Sequence, residues 1–136
     1  MERFAASFGV YDIRVPERLP NTRRALAMAE FAREYGKLNI FRDLAMQAHW
    51  KDGKDLESDR DLSELATRAG LNQDAALGAV SSPDYLHRVD ALRAEAYDIS
   101  ITGIPTFIIG NQRVVGCQPY DLLADAARNG GASPKY

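Results

Sequence analysis

The sequence predicts a mostly helical α/β chain: a bundle of helices that ends in one β-hairpin and a last short helix. Three observations carry this reading. Between Asn21 and Ile99 the apolar residues return at three- and four-residue spacing, the period of one helix face. Thr106-Phe107-Ile108-Ile109, bounded by Pro105 and by Gly110-Asn111, is rich in β-formers and reads as a short strand. Val114-Val115 follows after Gly110-Asn111-Gln112-Arg113, so an antiparallel hairpin is the simplest local structure, with Gly and Asn supplying the positive φ of a tight reversal.

In chain order, residues 1–8 read as a short lead with Phe4 and Phe8 one helical turn apart, ended by Gly9. Residues 10–19 carry Tyr11, Ile13, Val15 and Pro16, which predicts an extended connector that packs its apolar side chains. Asn21 is a suitable N-cap for a helix over about 22–35, and Gly36 a natural stop. A second helix runs through Leu38, Phe41, Leu44, Ala45 and Ala48 to Trp50, and Lys51-Asp52-Gly53-Lys54 breaks it. The short turn predicts that the two pack antiparallel.

Ser58 or Asp59 caps a third helix through Leu62, Leu65, Ala66 and Ala69, and Asn72 caps a fourth to about Val80. Ser82-Pro83 opens the longest run, with Leu86, Val89, Leu92, Ala96 and Ile99, which delivers the chain to Ile104-Pro105. After the hairpin, Pro119 starts a last helix through Leu122, Leu123 and Ala126, halted by Asn129-Gly130-Gly131, and the tail to Tyr136 reads as frayed.

A chain of 136 residues fits one domain and buries roughly two-thirds of the surface its unfolded form exposes. The formal charge of −2, with acids and bases interspersed, provides no polycationic footprint, so nucleic acid is not an expected partner. No apolar run approaches the roughly 20 residues that span a bilayer, and no secretory signal pattern opens the chain. The expectation is a cytoplasmic protein with no membrane partner. One cysteine, Cys117, cannot form an internal disulfide, which fits a reducing compartment.

His49 and His87 have no second ligand at i+3 or i+4, so no metal is expected, and no glycine-rich phosphate loop points to a cofactor. Asp84 and Asp90 flank His87 as helix-surface neighbours. Asp55, Glu57, Asp59 and Asp61 read as a solvated loop and helix start.

Gly103-Ile104-Pro105-Thr106-Phe107 followed by a hairpin, Val114-Val115-Gly116-Cys117-Gln118-Pro119 and a short helix resembles the C-terminal part of DsbA-like thioredoxin-fold proteins. The nearest branch is the FrnE-like one, related to the 2-hydroxychromene-2-carboxylate isomerases and kappa-class glutathione transferases. Leu19-Pro20-Asn21-Thr22-Arg23-Arg24-Ala25 resembles the start of that family's helical insertion. On this likeness residues 1–20 are lead and connector, 21–99 the insertion, 100–130 the remnant of the thioredoxin fold and 131–136 the tail of a single domain. Family members begin with a β-α-β unit carrying Cys-x-x-Cys or a serine, which this chain lacks, so the resemblance implies a truncated thioredoxin-like protein.

The resemblance also implies roles. The proline matching Pro105 is cis in such proteins, and Ile104, Pro105 and Thr106 would contact an extended thiol peptide or glutathione. The family's catalytic cysteines sit at a helix N-terminus, where the dipole lowers the thiol pKa. Cys117 does not match them. It reads as a buried, inert thiol, with a single redox thiol as the other reading. Two functions compete: a disulfide oxidoreductase family protein without independent dithiol activity, and a non-catalytic peptide- or subunit-binding module. Without the central strand that the complete fold provides, the hairpin edge is expected to pair two chains as a homodimer.

Overall fold

Ser58 and Asn72 show how this sequence sets its helix boundaries. Each has an extended backbone, and its side-chain oxygen accepts an N–H from the first turn beyond, Asp61 for Ser58 and Ala75 for Asn72. The chain's structure, a computed structural model, describes residues 2–15 and 18–133. Its elements run α1 (Glu2–Ala6), α2 (Arg23–Glu34), α3 (Leu38–Trp50), α4 (Asp59–Arg68), α5 (Gln73–Ala79), α6 (Pro83–Asp98), β1 (Thr106–Ile109), β2 (Gln112–Val115) and α7 (Tyr120–Asn129). The chain divides into two compact units, Met1–Leu92 and Arg93–Tyr136.

The first unit is the helical bundle. Its core gathers Met28 and Phe31 from α2, Phe41 and Ala48 from α3, Leu62 and Leu65 from α4, and Ala76 with Val80 at α5. Helix α2 packs on α3 and α5, and α4 packs on α3 and α5. Burying side chains the size of Phe41 and Leu62 stabilises by about 1.5–3 kcal/mol each. Phe31 adds ring contacts to Tyr35 at 4.8 Å and Tyr85 at 5.8 Å.

Several expectations need correction here. Thr22, not Asn21, occupies the N-cap of α2 and makes no side-chain bond; Asn21 Oδ1 accepts the Arg23 N–H instead, at 3.0 Å. In the connector Val10, Tyr11, Val15 and Leu19 remain exposed and Ile13 is half-buried, so most of its apolar side chains do not pack as predicted; in the lead the Phe4 and Phe8 rings meet at 5.1 Å, one helical turn apart as expected, and stay exposed. Pro16 of the connector and Pro134–Tyr136 of the tail lie outside the described residues.

The acidic run is also more than a solvated loop. Glu57 accepts from Arg18 and from the Asn21 N–H, Asp59 pairs with Arg24, and the Arg24 guanidinium also reaches the Glu57 carbonyl at 2.6 Å. Asp61 is buried, and burial pushes its carboxyl up. The Asp55 N–H at 3.0 Å, with Lys54 and Arg60 nearby, pulls the other way and leaves it below the ordinary aspartate range. The run thus fastens the connector to the loop before α4.

A second polar cluster predicts a pH effect. Tyr85 Oη donates to Glu34 at 2.7 Å and Arg88 pairs with the same carboxylate, which together hold the Glu34 carboxyl below its usual range. A depressed carboxyl contributes stability above its unfolded pKa and loses it as pH falls through the folded one. Urea midpoints of the protein should therefore drop below the ordinary carboxylate range of about pH 4.3 by more than those of Glu34→Gln. Parallel pH profiles for the two proteins would refute the assignment.

In the second unit β1 and β2 pair antiparallel, with Thr106 opposite Val115 and Ile109 opposite Gln112. Gly110, at φ +58°, supplies the left-handed residue of the two-residue turn; Asn111 does not share that conformation, which matches a type II′ reversal. Helix α7 packs on β2. Arg113 of β2 donates to the Ile99 carbonyl at 2.6 Å and to the Ser100 carbonyl at 2.9 Å, satisfying the end of α6. The apolar residues predicted for α6 are not buried, and Ala126 is the core residue of this unit among those described.

Candidate functional site

The loop before β1 is fixed at both flanks and exposed between them. Pro105 accepts the Gly116 N–H at 2.7 Å, joining the hairpin ladder one pair beyond Thr106 and Val115. Thr106 Oγ1 donates to the Gly103 carbonyl at 2.6 Å and closes the bend. The Ile104–Pro105 peptide is cis. Ile104 between these anchors is 91% exposed, and Pro105 is exposed beside it.

A large apolar side chain held outward on a braced loop is suited to bind something extended and partly apolar, because little ordering entropy remains to be lost on binding. A groove of about 310 Å³ adjoins it, lined by Arg93 and Tyr97 of α6 and by Thr102, Gly103 and Ile104. The Arg93 guanidinium lies 5.6 Å from the Tyr97 ring centre, with Nη2 3.4 Å from its hydroxyl, so the groove sets a cation and a phenol beside the loop. Sequence reasoning missed this pair. Its signal was the i,i+4 spacing of Arg93 and Tyr97 directly upstream of the bend.

The structure brings Ile104, Pro105 and Thr106 into one loop and places Cys117 just past the Gly116 that bonds Pro105. Cys117 is exposed, which corrects the buried reading. The reason is local: it follows the end of β2, in a unit with almost no core to receive it. His49 is buried beside Trp50, rings 4.7 Å apart, while His87 is exposed and its neighbour Asp90 takes Arg23 at 2.6 Å. Among the described residues no cluster of three His, Cys, Asp or Glu side chains could hold a metal. Among the same residues no helix is long and apolar enough to cross a membrane.

Comparison with known proteins bears on the fold and the family. The chain is 28% identical over 108 residues to the uncharacterized protein YwbO of Bacillus subtilis (strain 168), covering 79% of this chain and 54% of that protein. It superposes with a TM-score of 0.80 on the crystal structure of a probable DsbA oxidoreductase from Streptomyces coelicolor, at 24% identity, over 99% of this chain and 60% of that one. The chain therefore spans between half and two-thirds of the length of these two proteins. The sequence pattern of the DSBA-like thioredoxin domain matches residues 1–128. With a helical bundle, a two-stranded hairpin, a final helix and that match over nearly its whole length, the chain belongs to the DSBA-like thioredoxin domain family.

Proposed function

We propose that this chain is a FrnE-like thiol–disulfide oxidoreductase family protein that works in the cytoplasm. It binds an extended thiol peptide or glutathione at Ile104, Pro105 and Thr106, and the 136 residues have no dithiol couple of their own. The observation that carries the reading is Ile104, 91% exposed on a loop whose flanks are hydrogen-bonded in place. A single sulfur limits the chemistry to exchange. The Cys117 thiolate would attack a disulfide R–S–S–R′, forming a Cys117–S–S–R bond and releasing R′–S⁻, and no second thiol in this sequence could resolve it.

Cys117 is exposed and close in sequence to Gly116, the partner of Pro105, which supports one-thiol exchange over an inert residue. A purely binding role is the second reading, favoured by the exposed apolar residues of the loop and hairpin. The chain should show no insulin reduction above the dithiothreitol blank. Fluorescence anisotropy with a labelled thiol peptide should register binding, and Ile104→Asp should weaken it about tenfold, the equivalent of about 1.4 kcal/mol. Mass spectrometry after incubation with oxidised glutathione then separates the readings: a Cys117 adduct supports exchange, its absence leaves the binding role, and unchanged affinity in Ile104→Asp defeats both.

A further inference from the structure

Strand β2 carries the approach to the Ile104 loop. Side chains two apart on a strand share a face, and Arg113 and Val115 both meet the chain that enters the loop. Arg113 lays its terminal guanidinium nitrogens on successive carbonyls, Nη2 on Ile99 at 2.6 Å and Nη1 on Ser100 at 2.9 Å. Val115 Cγ1 lies against Gly103, so close that a Cβ at that glycine would sit 3.2 Å from it. On the far side of the loop the Gly116 N–H holds the Pro105 carbonyl at 2.7 Å.

The end of α6 shows what the guanidinium does. The Ile99, Ser100 and Ile101 N–H groups bond back to the Glu95, Tyr97 and Ala96 carbonyls, at 3.1, 2.8 and 2.8 Å. The Ile99 and Ser100 carbonyls lie beyond the reach of that ladder. Ser100 makes the reversal at φ +58°, the left-handed conformation that glycine usually supplies at a helix end. Serine does not favour it, so the surroundings must hold it there. The Ile99 carbonyl belongs to the peptide before the Ser100 Cα, and the Ser100 carbonyl to the peptide after it. A rigid planar fork on both fixes the two torsions between them, and with those the direction in which the chain leaves the helix for Ile104.

We infer that Arg113 is a positioning residue for the ligand loop: by gripping both peptides of Ser100 it aims the chain so that Ile104 stands where an extended thiol peptide meets it. This rests on the reading of Ile104 as the ligand contact and adds the residue that presets it. Arg113 itself touches no ligand. Without the fork only a fraction of the molecules hold the loop in the competent direction, and the apparent affinity falls by that fraction.

In fluorescence anisotropy with a labelled thiol peptide, Arg113→Gln should bind about three- to tenfold more weakly than the parent. Arg113→Lys keeps the charge but replaces the fork with a single ammonium, so its affinity should fall between the two. A lysine variant that binds as tightly as the parent would show that only charge counts, and overturns the inference. Hydrogen exchange separates positioning from plain stability. The Ser100 and Ile101 amides should exchange faster in Arg113→Gln, and to a smaller degree in Arg113→Lys, while the amides of the β1–β2 ladder keep the parent's rates. A uniform rise across the unit in both variants, or no rise at all, overturns the inference. Unchanged affinity in Arg113→Gln beside a loss in Ile104→Asp overturns it and leaves the ligand reading standing, whereas a parent that binds no peptide ends both.

Discussion

Alanine in place of Phe41 should lower the free energy of unfolding by about 3–5 kcal/mol, the range for removing a buried aromatic ring. Phe41 is 2% exposed and lies in the core shared by α2, α3 and α4. The loss combines the transfer energy of the ring with the cavity it leaves, which close-packed neighbours such as Met28 and Leu62 only partly fill. Since a domain of this size is stable by about 5–15 kcal/mol, a large fraction of the margin disappears. Ile40→Ala on the same helix is the control, because Ile40 is exposed and its change should stay within about 0.5 kcal/mol. Equal urea midpoints for the two variants would show that α3 does not pack as described.

Alanine at Gly130 should destabilise by about 1–3 kcal/mol, although the same change elsewhere usually helps. Its backbone, at φ −81°, would accept any residue, so conformational freedom is not what the position needs. It needs space: a Cβ there would sit 2.8 Å from Ile109 Cγ2 and 2.9 Å from the Ile109 carbonyl carbon. Neither β1 backbone nor helix end can retreat cheaply, and Gly110 is equally close, since a Cβ there would sit 2.7 Å from the Gly130 carbonyl oxygen. Gly78 in α5 has nothing within 4 Å of its missing Cβ, so Gly78→Ala should stabilise by about 0.5–1 kcal/mol. The two substitutions should thus move the thermal midpoint in opposite directions. Matching signs would mean that α7 does not abut the hairpin turn.

Capping and periodicity made most of the helices legible, because both are written in neighbouring residues. Ser58 and Asn72 cap as their residue types predict, and the faces of Phe41, Leu62 and Leu65 enter the core. The same spacing misled for Leu92 and Ile99, which stay exposed: periodicity tells which residues share a face, not whether anything covers it. Cys117 failed for the same reason. A small apolar-like residue predicts burial only where a core exists, and the second unit offers Ala126. The polar anchors were illegible because they bridge distant positions, Arg24 to Asp59, Tyr85 to Glu34 and Arg113 to Ile99.

Order along the chain by itself determined the helical bundle, the hairpin with its glycine turn and the Ile104–Pro105–Thr106 bend between them, since each depends on contacts a few residues apart. Only the tertiary structure decided that the thiol is exposed, that Arg93 and Tyr97 line a groove beside the bend, and that Gly130 abuts the hairpin turn. Those properties depend on what lies across space, which local spacing does not encode.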